Sequence, residues 1–237
     1  MNYPQIIASY ILDLIFPVKC IFCGKYGSYA CKKCLGSIPI KKSFECIGCA
    51  RPVNLGLTCF TCRKRYSIDQ LLVVSDYKDP KARQIIKAFK YRFIKKMSGP
   101  IYGLAGRYMH WLSKKYPDSF KTNPLLVPVP LTRYRLNYRG FNQSELIASE
   151  LSKDKDLEIM TGIIERLESK PQADLKSREE RKTNLDGKFR YIGQDLGRRD
   201  VILVDDVCTT GSTLNECAKL LKQNGAGKIA ALVIARG

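Results

Sequence analysis

The stretch VILVDDVCTTGST, from Val201 to Thr213, decides the fold. Its first four residues form an unbroken apolar run, the pattern of a strand buried on both faces of a parallel sheet. Asp205 and Asp206 stand at the carboxyl end of that run, the side on which open α/β sheets hold their ligands. Cys208, Thr209, Thr210, Gly211, Ser212 and Thr213 then offer small residues, hydroxyls and successive backbone N–H groups ahead of a helix. Such a turn is an anion cradle suited to a phosphate monoester. The twin carboxylates beside it can accept hydrogen bonds from a vicinal diol. A helix from Thr213 to Asn224, a C-cap glycine at 225 and a strand from Lys228 to Ala235 complete a βαβ unit. No lysine follows Gly211 and no G-x-G-x-x-G occurs, which excludes a Walker A loop and the dinucleotide fingerprint.

Upstream, Leu71 to Ser75 reads as a buried strand. Residues 80 to 97 read as a helix with Ile85, Ile86, Phe89 and Phe93 on one face, and 100 to 115 as another. Leu125 to Val129 reads as a strand turning into a loop at Pro128 and Pro130, and a helix begins near Ser144. Residues 169 to 188 are polar and charged without periodicity, the composition of a long functional loop. Residues 67–237 are therefore expected to form one α/β domain, a parallel sheet flanked by helices.

Residues 1–66 read differently. Ile6, Ile7, Tyr10, Ile11, Leu14 and Ile15 recur at helical spacing ahead of Pro17, and a cysteine-dense segment poor in apolar residues follows. Eight cysteines fall into four C-x-x-C pairs: Cys20/Cys23, Cys31/Cys34, Cys46/Cys49 and Cys59/Cys62. Two such pairs close a tetrahedral thiolate sphere with no position left for water, so two structural Zn²⁺ ions are expected. Iron–sulfur ligation and redox dithiols are the alternatives, disfavoured by the regular ribbon spacing and by the number of pairs. Sequential quartets are preferred over interleaved ones, which spacing alone does not exclude. Gly24 and Gly48 ease the tight turns. No Gly/Ser-rich linker separates this segment from the α/β domain, so the two should pack closely.

With 45% hydrophobic and 27% charged residues the chain is of ordinary globular composition, which excludes wholesale disorder. Its 41 Lys+Arg against 22 Asp+Glu leave +19 at pH 7, nearly all of it in the first 150 residues, and such a field favours polyanionic partners. Lys87, Lys90, Arg92 and Arg135 lie in basic stretches interleaved with Tyr77, Phe89, Tyr91, Phe93, Tyr134 and Tyr138, as single-stranded nucleic-acid binding requires. The bland counterpart is aromatics facing the core and lysines facing water, expected for about half of them. Lysines of the cysteine segment can equally be a solvated face. Metal-type cysteine spacing points to a reducing, cytoplasmic compartment, and the first residues show neither signal peptide nor membrane span. The single histidine, His110, sits in a predicted helix and gives acid/base catalysis little material.

The segment 201–213 resembles the 5-phosphoribosyl-1-pyrophosphate (PRPP) signature of type I phosphoribosyltransferases, with Cys208 in place of a usual aliphatic residue. VPVPLTRYRLNYRGFNQSE (Val127 to Glu145), Phe89-Lys90-Tyr91-Arg92 and the spaced Gln172, Leu175, Arg181 and Asn184 resemble the ComF competence-protein family. Thr132 departs from the histidine or basic residue often found there. The resemblance implies a type I phosphoribosyltransferase-like domain behind a double zinc ribbon. In it, Asp205 and Asp206 hold the ribose hydroxyls and residues 208–213 the 5′-phosphate. Arg133, Arg139, Gln172 and Arg181 lie on the lid and pyrophosphate side, where Mg²⁺ accompanies PRPP. It further implies a role in natural transformation, with PRPP or a nucleotide in the cradle, single-stranded DNA on the basic surface and DNA-uptake proteins such as a helicase as partners. The alternative is an active phosphoribosyltransferase moving ribose 5-phosphate from PRPP to a base or nucleotide-related acceptor.

Overall fold

The computed structural model describes residues 17–91, 97–117, 123–167 and 188–237. A short helix, α1 (Lys32–Gly36), lies in the cysteine-rich segment. Then come β1 (Gln70–Asp76), α2 (Pro80–Tyr91), α3 (Ser98–Lys115), β2 (Leu125–Pro128), α4 (Arg133–Arg139) and α5 (Gln143–Lys155). A short antiparallel pair, β3 (Ile164–Arg166) and β4 (Phe189–Tyr191), precedes β5 (Val201–Cys208), α6 (Ser212–Gln223) and β6 (Ile229–Arg236).

The main sheet is parallel throughout and ordered β1-β6-β5-β2. Its strands are apolar runs because both faces are covered. Leu72, Val74, Leu126, Ile202, Val204, Leu232 and Ile234 face a core closed by α2, α3 and α5. Leu71, Val73, Leu125, Val127, Leu203 and Val233 face a second core closed by α6. Each fully buried aliphatic side chain contributes about 1.5–3 kcal/mol, so the period-two alternation fixes the register on both sides at once. Pro128 is tolerated because β2 is an edge strand.

The cysteine-rich segment straddles the opposite edge. Ala30 and Ile38 join the first core, whereas Ile47 and Ile68 join the second. Between them the chain covers β1: Lys41 N–H donates to Val74 O (2.8 Å), Ser75 Oγ to Pro39 O (2.8 Å) and Thr58 N–H to Asp69 O (2.9 Å). An exposed strand edge is a template for aggregation, and this clasp closes it. On the helical side Arg107 of α3 donates to Leu35 O (2.7 Å) and Ile38 O (3.2 Å). The close packing expected without a linker is present.

Two expectations need correction. The loop expected after Pro130 contains α4, capped by Thr132, whose Oγ1 accepts from Arg135 N–H (3.2 Å), and ended by left-handed Gly140. The strand expected to end at Val204 runs on to Cys208, so Asp205 and Asp206 sit within the sheet and not in the turn. The N-terminal helix expected before Pro17, the stretch 92–96 and nearly all of the 169–188 loop lie outside the described residues. His110 is exposed on α3.

Candidate functional site

β5 carries its two carboxylates to the carboxyl edge, where α2 and α5 meet it. Ser144 Oγ, in the first turn of α5, donates to Asp205 Oδ1 (2.9 Å), which also accepts the Asp206 N–H (2.8 Å). Asn142 places that serine: its side chain caps α5 through Ser144 N–H (3.1 Å) and is pinned to Val129 O (3.0 Å). Lys90 Nζ meets Asp206 Oδ1 at 2.9 Å. Burial, then the neighbouring Asp206 charge, push the Asp205 carboxyl up to about 7, against the Asp206 N–H, Ser144 and Lys90, which favour its charged form.

Beyond the carboxylates the chain turns at Thr209 and Thr210, both exposed, and enters α6 through Gly211 at φ 77°. The turn encloses a cavity of about 50 Å³ lined by Asp205 and by Val207 to Leu214. Thr210 Oγ1 and Ser212 Oγ lie 3.0 Å apart at its mouth, and the α6 N-terminus adds the positive end of its dipole. Cys208 is a buried part of the cavity lining, its thiol pushed up to about 11 by burial.

A larger cavity of about 570 Å³ lies nearby, lined by Arg133, Asn137, Glu165, Arg166, Leu167 and Arg190. Arg190 (2.6 Å) and Arg133 (3.0 Å) clamp the Glu165 carboxylate and hold it below the usual range. Arg166 stacks its guanidinium over Phe189 at 5.2 Å, and burial and Arg135 both work against its charge while Asp205 supports it.

Of the residues singled out from sequence, Asp205 and 208–213 come together around one cavity, while Asp206, next along the strand, is buried against Lys90 and does not line it. Arg133 stands at the rim of the larger cavity, and Arg139 Nη1 bonds Gln143 Oε1 (3.0 Å). Lys87 and Arg135 are exposed, whereas Lys90, grouped with the nucleic-acid surface, turns inward to Asp206. Arg92, Gln172 and Arg181 lie outside the described residues. Ser144, Glu165, Arg166 and Arg190 were not singled out; the Asn142-Gln143-Ser144 cap was the one local signal that could have found the first.

The cysteines form sequential quartets, Cys20/23/31/34 and Cys46/49/59/62, with the Sγ atoms of each within 4.8 Å of one another. Cys23–Cys31 and Cys49–Cys59 are both 3.8 Å apart, close to the edge of a tetrahedron with bonds of about 2.3 Å. Cys31 N–H and Cys59 N–H donate to Cys20 Sγ and Cys46 Sγ (3.4 Å each). Against the upward pull of burial, backbone N–H groups bring Cys20 and Cys46 down to about 6. Burial and neighbouring sulfurs push Cys34 to about 12, and Cys59 followed by burial does so for Cys62. Four thiolates crowded together need a cation, and the all-sulfur set fits two structural Zn²⁺ ions. No other cluster of three or more acidic, histidine or cysteine ligands exists among the described residues.

The double zinc ribbon domain family matches residues 11–63 and the phosphoribosyl transferase domain family residues 138–237. The chain thus joins a zinc-ribbon-like cysteine segment to a parallel α/β sheet whose second half matches the phosphoribosyl transferase domain family. Competence protein F of Haemophilus influenzae is 28% identical over 231 residues, covering 89% of this chain and 98% of that protein. DNA utilization protein YhgH of Escherichia coli K12 is 29% identical over 208 residues (87% and 88%), and competence protein ComFC of Bacillus subtilis 27% over 215 residues (87% and 83%). The resemblance to the ComF competence-protein family holds along most of the chain.

Proposed function

We propose that this protein serves DNA uptake by holding PRPP or a nucleotide phosphate at residues 205–213 and single-stranded DNA on its basic surface. One observation carries the reading: an exposed turn of small hydroxyl residues at a helix N-terminus opens beside two carboxylates at the carboxyl edge of a parallel sheet. The names of its relatives, two competence proteins and a DNA utilization protein, supply the setting. Asp205 and Asp206 take the ribose hydroxyls, with Ser144 orienting the first and Lys90 balancing the charge of the second. The N–H groups and hydroxyls of 209–213 take the monophosphate. Arg133, Arg139 and Arg166 face the pyrophosphate side, with Gln172 and Arg181 as lid residues. Mg²⁺ enters on pyrophosphate oxygens. The compartment is cytoplasmic and the partners include DNA-uptake proteins such as a helicase. No helix among the described residues is long and apolar enough to cross a membrane.

Exposed Tyr134 and Tyr138 on α4 stack at 6.4 Å and 9° between Arg133, Arg135 and Arg139, a base-stacking platform among phosphate contacts. Titration calorimetry with Mg²⁺ and PRPP, and anisotropy of labelled single-stranded DNA across a salt series, test both halves. Saturable heat lost in Asp205→Asn/Asp206→Asn, and DNA affinity falling steeply with salt, are expected. Absence of heat defeats the first half and salt-insensitive binding the second. The cavity of about 570 Å³ lined by Arg133, Glu165 and Arg166 gives room for an acceptor and favours, as a second reading, transfer of ribose 5-phosphate. Pyrophosphate released from PRPP with any base or nucleic acid would establish it.

A further inference from the structure

The two cysteine quartets are equivalent in their sulfur geometry but not in what they touch. The first packs through Leu35 and Ile38 onto α3, on the sheet face away from α6. The second packs onto the phosphate turn. Its knuckle residue Ile47, fully buried between Cys46 and Cys49, lies so close to Gly211 that a Cβ there would meet Ile47 Cγ1 at 2.8 Å. Tyr66, four residues past Cys62, donates its hydroxyl to Thr210 O (3.3 Å). Asn215 in α6 accepts Ser67 N–H (2.7 Å) and donates to Arg65 O (3.1 Å). From the sheet side, Arg236 pairs in register with Cys208 and donates to Cys46 O (3.0 Å) and Ile47 O (2.8 Å) while meeting Glu45 (3.3 Å). The knuckle is thereby held from above by the turn and from beside by the strand that neighbours it.

We propose that the second zinc ribbon is a working part of the phosphate site: its knuckle forms the floor on which residues 209–213 are held in the anion-binding conformation. The first ribbon is scaffold only. Ile47, Tyr66 and Arg236 are positioning residues. Ile47 fills the space under Gly211, which therefore must lack a side chain. Tyr66 fixes the Thr210 carbonyl away from the cradle, and Arg236 ties the metal-binding turn to the strand that ends in Cys208. Pre-set N–H groups bind an anion without the cost of ordering the loop, so loosening the floor should lower affinity. Zinc in the second quartet then governs the ligand site, and zinc in the first governs stability alone. This rests on the proposal that the turn binds a phosphate.

The test uses the full zinc-loaded chain, with PRPP and inorganic phosphate as separate calorimetric probes. Ile47→Ala should weaken both about tenfold while two zinc ions per chain are retained. Ile47→Val should return affinity to within about twofold, and Tyr66→Phe should cost a smaller factor. Ile38→Ala, equally buried but under the first ribbon, should lower Tm as Ile47→Ala does yet leave both affinities unchanged. Backbone amide shifts of residues 209–213 should move in the Ile47 variant and stay in place in the Ile38 one. Wild-type affinity in Ile47→Ala, or an equal loss in Ile38→Ala, overturns the inference while leaving the phosphate reading intact. A wild-type chain that binds neither probe removes both.

Discussion

Asp205 sits in an environment that opposes its charged form. Its carboxyl is raised from about 4 to about 7 by burial and by Asp206, so ionising it costs the folded state. The sign follows by linkage: the penalty is absent below about pH 4, grows as pH rises and is complete above about pH 7. Asp205→Asn should therefore raise Tm at pH 8, with the gain vanishing towards pH 4, even though it removes a diol acceptor. Thermal melts across that range decide it, and a pH-independent difference would count against the charge argument. Gly48 makes a second point at this scale. A Cβ there would lie 2.7 Å from Cys62 Sγ and 2.8 Å from the Tyr66 ring, so Gly48→Ala should lower zinc content from two ions per chain towards one, measured by elemental analysis.

Among the elements, β5, α6 and β6 were readable because each signal was local and redundant: an unbroken apolar run, hydroxyls at a helix start, Gly225 at its end. The cysteine pairs were readable for the same reason, but their spacing left interleaved quartets open and only the fold brings the sequential sets together. α4 was not, because seven residues offer barely two turns and Pro128 and Pro130 dominate the local reading, while the Thr132 cap that starts it is worth only about 1 kcal/mol. Lys90 was misplaced for a related reason. Periodicity assigned its helix a core face and a wet face, but only the tertiary fold reveals that the wet face ends against Asp206. Now that α4 is visible, its role as a stacking platform can be tested. Tyr134→Ala/Tyr138→Ala should weaken single-stranded DNA binding by about 1–3 kcal/mol per lost stack without changing the salt slope. Arg135→Ala should reduce that slope by about one unit. Anisotropy titrations separate the two effects, and unchanged affinity in both variants would clear α4 of the role.

Over the whole molecule, the zinc segment is less an appendage than a clasp, with one quartet on each face of the sheet and the intervening chain along β1. Such a segment buries too little to hold itself together, and the metal supplies what its core cannot. Stripping zinc with a strong chelator should therefore lower the melting temperature of the entire chain and open an edge strand prone to self-association. Calorimetry with light scattering would detect both. A chelated chain that melts unchanged would show the clasp to be ornamental.

The position of β6 between β1 and β5 reaches into the protein's synthesis. β1 and β5 meet only through β6, so the edge of β1 facing the centre of the sheet stays unsatisfied until residues 229–236 have left the ribosome. The Arg236 latch on the second ribbon arrives in the same moment. β2 and β5 can pair beforehand, but ribbon, sheet and phosphate turn lock together only when β6 slides between β1 and β5.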